Sequence, residues 1–115
     1  MALLPIITAP DPRLKKVAAA VHTVDYDVRR LMDNMLETMY AAPGVGLAAP
    51  QVGVLKRVIV ADVARAGEKP QPMHMANPEI IDASGDISVF EEGCLSLPEH
   101  FAEVKRPNTV RIRYL

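Results

Sequence analysis

Two short stretches hold the side chains best suited to chemistry. The first is Gly44-Val45-Gly46-Leu47-Ala48-Ala49-Pro50-Gln51, a run of small residues leading to one amide. Glycines at 44 and 46 are expected to take backbone angles that other residues avoid and to bring main-chain groups close to a ligand. Gln51 adds a side chain that both donates and accepts. An amide donor held on a stiff loop is what an oxyanion site uses. The same spacing also fits a plain glycine-rich surface turn. A dinucleotide loop matches poorly, because Ala49 occupies the third glycine position and Pro50 forbids an ordinary helix interior.

The second stretch is Glu91-Glu92-Gly93-Cys94-Leu95-Ser96-Leu97-Pro98. Gly93 is expected to let the chain turn tightly beside the thiol. Cys94 is the single cysteine of 115 residues, so no internal disulfide forms, which fits a reducing compartment. Three roles stay open for it: a small core residue, a nucleophile or a metal ligand. A nucleophile needs a base or a positive field. The nearest histidine, His100, lies beyond Pro98, and Glu91 and Glu92 carry the wrong charge to favour a thiolate. A metal ligand needs partners of its own kind. His22, His74 and His100 offer no pair at helical i, i+4 spacing.

These stretches must be positioned by regular elements. From Asp25 to Ala42, apolar residues Val28, Leu31, Met32, Met35, Leu36, Met39 and Tyr40 recur at three- and four-residue steps, which predicts a helix. Asp25 is its expected N-cap, Asp27 suits its first turn, and Pro43-Gly44 ends it. The methionines on the stripe read as fillers of an irregular core. Strands are expected at Arg57–Val63, Met73–Ala76, Glu79–Asp82, Ile87–Glu91 and Thr109–Tyr114. Lys105, Arg106, Arg111 and Arg113 could form a basic strip for an anionic partner, but Arg111 and Arg113 read as the solvated face of an alternating strand. The strands are not separated by helices, so the fold class is α+β: a small mixed or antiparallel sheet with one long N-terminal helix.

Composition narrows the function. Half of the residues are hydrophobic, 23% are charged and the net charge is −1. A disordered tail would be poorer in apolar residues. A nucleic-acid binder usually carries a basic excess, so no direct nucleic-acid binding is expected. Apolar runs are short and Pro5 and Pro10 interrupt the first of them, so neither a membrane span nor a signal peptide is expected.

Together the two stretches resemble the first two signature motifs of peptide deformylase. The family pattern GxGxAAxQ is similar to Gly44-Val45-Gly46-Leu47-Ala48-Ala49-Pro50-Gln51, and EGCLS stands here as Glu92-Gly93-Cys94-Leu95-Ser96. The opening ITAPDPRLKK and the helix end ETMYAAPG also resemble the family. The resemblance implies an α+β metallohydrolase that removes the formyl group from N-formylmethionyl peptides, in protein biosynthesis and N-terminal methionine processing. It implies a cytoplasmic, bacterial-type enzyme acting close to the ribosome. It implies a divalent metal, ferrous iron with zinc or nickel as replacements, with Cys94 as one ligand. Gln51 and the backbone N–H of Leu95 would stabilise the oxyanion, Val45 and Gly46 would line the substrate groove, and Phe90 and Glu92 would stand near the methionine pocket.

The family's third motif, HExxH, supplies two metal-binding histidines and a general base, and it is absent from these 115 residues. The chain is therefore expected to be a single deformylase-like domain over residues 1–115, incomplete at its C-terminus and lacking the HExxH helix. The alternative is a non-catalytic deformylase-like protein that binds a peptide or a partner protein through the Gly44–Gln51 groove.

Overall fold

The computed structural model describes residues 3–65 and 67–115. The periodic segment forms α1, Tyr26–Ala41. Its start is fixed as expected, with the Asp25 carboxylate accepting the Val28 N–H at 3.0 Å. At the other end, the Gly44 N–H donates to the Met39 carbonyl at 2.7 Å and closes the last turn. Val28, Met32, Met35, Leu36 and Met39 make the buried face, and Met35 and Met39 have no solvent exposure.

Seven strands follow: β1 Gly46–Ala48, β2 Val58–Ala61, β3 Met73–Ala76, β4 Glu79–Ala83, β5 Ile87–Cys94, β6 Leu97–Pro107 and β7 Val110–Arg113. The α+β class holds, and every pairing between these strands is antiparallel. One sheet was expected, and among the described residues three are present, ordered β1-β2-β3, β4-β7 and β5-β6. Two strands lie outside the sequence expectation. β1 falls inside the glycine-rich stretch, where its three residues are too few to show alternation. β6 begins Leu97-Pro98 and ends at Pro107, and those prolines hide a strand of 11 residues. Pro98 and Pro107 sit near the two ends of a two-stranded ribbon, where a missing donor is tolerated.

The core lies between α1 and the β1-β2-β3 sheet. Val58 and Val60 of β2 pack with Met35, Met39, Leu47 and Ala49. The segment before α1 is held in several places, by backbone bonds of Ala19 to Leu55 and Arg57 and by the Asn77 amide. Asn77, at φ 52°, accepts the Val21 N–H and donates to the Val21 carbonyl, each at 2.7 Å. The two ribbons, β4-β7 and the β5-β6 hairpin, are clothed far less. Ile80, Ile87, Val89, Phe90 and Phe101 are all exposed. Half of these basic residues are paired across the two ribbons: Arg106 grips Glu92 and Arg113 meets Glu79 at 3.1 Å.

Asp62, just after β2, is buried and ties α1 to the loop beyond it. It accepts the Tyr40 hydroxyl at 2.6 Å, the Ala64 N–H at 2.9 Å and the Gln71 N–H at 3.1 Å. The Tyr40 hydroxyl, followed by these amides, holds the Asp62 carboxyl below its ordinary range. Folding therefore favours the ionised form. That stabilisation is fully present above the unfolded carboxyl value of about 3.9 and fades as pH falls through the lower folded value. Tyr40→Phe is expected to lower the urea midpoint at pH 7 and to lower it by a smaller margin at pH 3. Equal margins at the two pH values would show that the hydroxyl favours neither protonation state.

Candidate functional site

Backbone geometry brings the two chemistry-bearing stretches together. β1 runs into a short 3-10 turn, Ala49–Val52, with Pro50 near its start, where a missing N–H costs nothing. β5 and β6 are joined by the two-residue turn Leu95-Ser96, because Cys94 pairs directly with Leu97. One extended segment fastens both turns. The Ile7 N–H donates to the Gln51 carbonyl at 2.8 Å, and the Ala9 N–H donates to the Ser96 carbonyl at 2.9 Å.

The Gln51 side chain then bridges the gap. Its Oε1 accepts the Ala48 N–H at 3.0 Å. Its Nε2 stands 3.2 Å from Ser96 Oγ and 3.5 Å from Cys94 Sγ. A backbone N–H can be met only by an acceptor, so the Ala48 bond fixes which end of the amide faces Cys94. It is the donating end. Gln51 thus presents N–H groups beside the thiol, as an oxyanion site requires.

Gly44 and Gly46 were expected to adopt unusual backbone angles. Among the described residues only Gly53 and Gly67 have positive φ among the glycines. Gly44 serves a different purpose. A Cβ there would lie 2.8 Å from Leu95 Cδ1, so the missing side chain is the space that the Leu95 side chain fills. Leu95 also packs against the main core. The turn beside Cys94 is therefore anchored to the end of α1 by one apolar contact. Gly93 likewise has no special φ, and the absent Cβ leaves room for the Phe101 ring, whose Cε1 would lie 2.7 Å from it.

These parts surround an open cavity of about 790 Å³, lined by Val45, Gly46, Gln51, Cys94 and Leu95 among others. Five of the seven residues singled out from the sequence thus share one concavity. His100 and Phe101 line it too. In the sequence His100 was weighed as a distant base and as an unpaired metal-ligand candidate. The tight turn folds β6 back along β5, Phe101 opposite Gly93, and so carries His100 to the thiol's side of the hairpin. Ser96 was quoted in the motif without a role, and no spacing rule would have assigned it one. Phe90 and Glu92 are not among the cavity's lining residues. Phe90 is exposed on β5, and the Glu92 carboxylate is gripped by the Arg106 guanidinium at 2.7 and 2.8 Å. That guanidinium holds the Glu92 carboxyl below its ordinary range.

Among the described residues no three His, Cys, Asp or Glu side chains converge on a point that could hold an ion. Cys94 is exposed and unbridged. One thiol is not a tight site for a divalent metal, which takes three protein donors in catalytic centres of this kind. The residues present therefore do not fit a complete metal centre. What they can do is bind and orient a small polar group and the chain attached to it.

The polypeptide deformylase family pattern matches residues 3–115. The chain belongs to the polypeptide deformylase family. Its members are metal-dependent hydrolases, and the wider comparisons agree. The peptide deformylase of Phenylobacterium zucineum is 58% identical over 115 residues, covering all of this chain and 68% of that protein. The crystal structure of the Ehrlichia chaffeensis deformylase in complex with actinonin superposes with a TM-score of 0.93 at 42% identity, over 100% of this chain and 69% of that one. The Met-Ala-Ser-bound Acinetobacter baumannii deformylase gives 0.90 at 35% identity, over 98% of this chain and 76% of that one. The chain spans about two thirds to three quarters of the length of these relatives. No helix among the described residues is long and apolar enough to cross a membrane.

Gly44→Ala is expected to destabilise the chain by about 1–3 kcal/mol, because it overpacks the Leu95 contact. In a Leu95→Ala background the same substitution should cost much less. A double-mutant cycle on urea midpoints reads that difference. An additive result would show that Gly44 and Leu95 do not share the space.

Proposed function

We propose that this protein serves peptide deformylation, the hydrolytic removal of the N-formyl group from formyl-methionine at the start of new proteins. The observation that carries this reading is the Gln51 amide, whose orientation is fixed by Ala48 and whose N–H groups are delivered to Cys94 on the wall of the cavity. The formyl carbonyl oxygen is the acceptor those N–H groups suit, with the Leu95 backbone N–H as the second donor. Both are preorganised and strengthen their bonds as negative charge develops on that oxygen.

The peptide lies along β1. That strand is at one edge of its sheet, paired with β2 and open on its other side, so an extended peptide can add to it through Val45 and Gly46. The Met-Ala-Ser tripeptide carried by the Acinetobacter baumannii relative supports an occupant of this kind. A methionine side chain suits the apolar part of the cavity by Leu95, Leu97 and Phe101. Glu92 acts one step back, holding β5 through Arg106, with Phe90 beside it on the same strand.

Family membership and the open thiol support Cys94 as one ligand of a divalent ion, ferrous iron with zinc or nickel as replacements. The histidine pair and the general base are absent from the 115 residues, so a working centre takes them from another source. A cytoplasmic setting close to the ribosome fits the substrate.

Two measurements test this. Titration of the isotopically labelled chain with formyl-Met-Ala-Ser is expected to shift the backbone signals of Val45, Gly46 and Leu95 together with the Gln51 side-chain amide. Shifts confined to other residues would defeat the assignment of the groove. The purified chain, its mass verified and ferrous iron supplied, is expected to deformylate that peptide no faster than the metal alone. Robust turnover would show that the 115 residues assemble a base and ligands of their own.

A further inference from the structure

We propose that Ser96 is a positioning residue that sets the Gln51 amide for the oxyanion. The proposal rests on the reading of Gln51 given above and adds a residue to it.

Three observations converge on Ser96. Its side chain is buried, at 3% exposure, although it sits in a two-residue turn at the tip of a largely exposed hairpin. Its Oγ lies 3.2 Å from Gln51 Nε2, closer than Cys94 Sγ at 3.5 Å. Its backbone is held by the Ala9 N–H, two residues from the Ile7 N–H that holds Gln51. One strap of chain therefore fixes the separation of the two residues, and their side chains meet across that fixed distance.

The chemistry follows from the donor inventory of an amide. Nε2 carries two hydrogens in one plane with Oε1. The Ala48 N–H fixes the plane's far end. With one Nε2 hydrogen given to Ser96 Oγ, the plane can no longer rotate, and the second hydrogen points at the thiol side, where an oxyanion would sit. Sulfur is a weak acceptor, so Cys94 alone holds the amide loosely. Oxygen at 96 supplies the firm second point. An amide held at two points loses little entropy when the ligand arrives, which is the advantage of preorganisation.

The test uses the 115-residue chain with Ser96→Ala and Ser96→Thr, each first shown to be folded by its backbone amide spectrum. The two Gln51 Nε2 protons are expected to be well separated and slow to exchange in the native chain and in Ser96→Thr. In Ser96→Ala they should approach one another and exchange several-fold faster. Binding of formyl-Met-Ala-Ser and of Met-Ala-Ser is then compared in each chain. Loss of one neutral hydrogen bond corresponds to about three- to tenfold in affinity. Ser96→Ala should weaken the formylated peptide by that factor and leave the unformylated one unchanged, and Ser96→Thr should restore the difference. A general loss of structure would weaken both peptides alike and would overturn the proposal, as would unchanged Gln51 protons in Ser96→Ala. If the native chain does not distinguish the two peptides, Gln51 is not the oxyanion donor and the functional reading fails. If it does distinguish them and Ser96→Ala does so equally well, only the role of Ser96 fails.

Discussion

The site depends on one side-chain amide spanning two parts of the chain that are far apart in sequence. Gln51 stands at the end of the β1 segment, on the well-packed side of the molecule. Cys94 and Ser96 stand on the β5–β6 hairpin, whose apolar side chains are largely exposed. The Gln51 carboxamide accepts from the first side and donates to the second. Without it the hairpin tip would be tethered to the core by the Leu95 contact and the Ala9 strap. The same group that suits an oxyanion therefore also holds the two walls of the cavity in register. A change at Gln51 alters geometry and chemistry together, so its loss is not a clean measure of either.

The helix was legible because its pattern is long. Sixteen residues carry the apolar stripe through four turns, and the structure closes its ends where the sequence marks them, with the Asp25 carboxylate at one and the Gly44 N–H at the other. β2 and β7 were legible for a related reason, since buried or alternating residues repeat along them. β1 and β6 were not. Three residues cannot display a period, and β6 has no consistently buried face from which a period could arise. Both omissions fall next to the site. The elements that shape it are short or exposed, and hydrophobic patterning carries little information about such elements.

Individual side chains show the same limit. Gln51, Cys94, Val45, Gly46 and Leu95 could be gathered from two motifs, because motif residues are constrained by what they touch. Ser96 and His100 gained their places from a turn that pairs Cys94 with Leu97, and a turn register is not visible in composition. The glycines were identified for the wrong reason. Gly44 is needed for the volume of Leu95, and Gly93 for the ring of Phe101. A glycine in a sequence signals freedom of angle or freedom of space, and only coordinates separate the two. Glu92 is a parallel case. The family resemblance placed it near the methionine pocket, whereas its carboxylate is occupied by Arg106 across the hairpin.

The distribution of burial explains why so much of the site's order rests on polar bonds. Around α1 and β2, Met35, Met39, Val58 and Val60 are almost wholly removed from water, and each such side chain contributes about 1.5–3 kcal/mol of burial. The two-stranded ribbons have no comparable reservoir, since Ile80, Ile87, Phe90 and Phe101 remain exposed. Two-stranded ribbons are marginal in water without a packed face. The β5–β6 tip is therefore kept in place by what reaches it from the core: the Leu95 side chain on Gly44, the Ala9 N–H on Ser96, and the Gln51 amide. All three act on the residues around Cys94 and none on the outer part of the ribbon. These contacts hold the separation of the thiol and the amide donor. A reacting group needs its geometry fixed only where bonds change, and these three contacts fix it there.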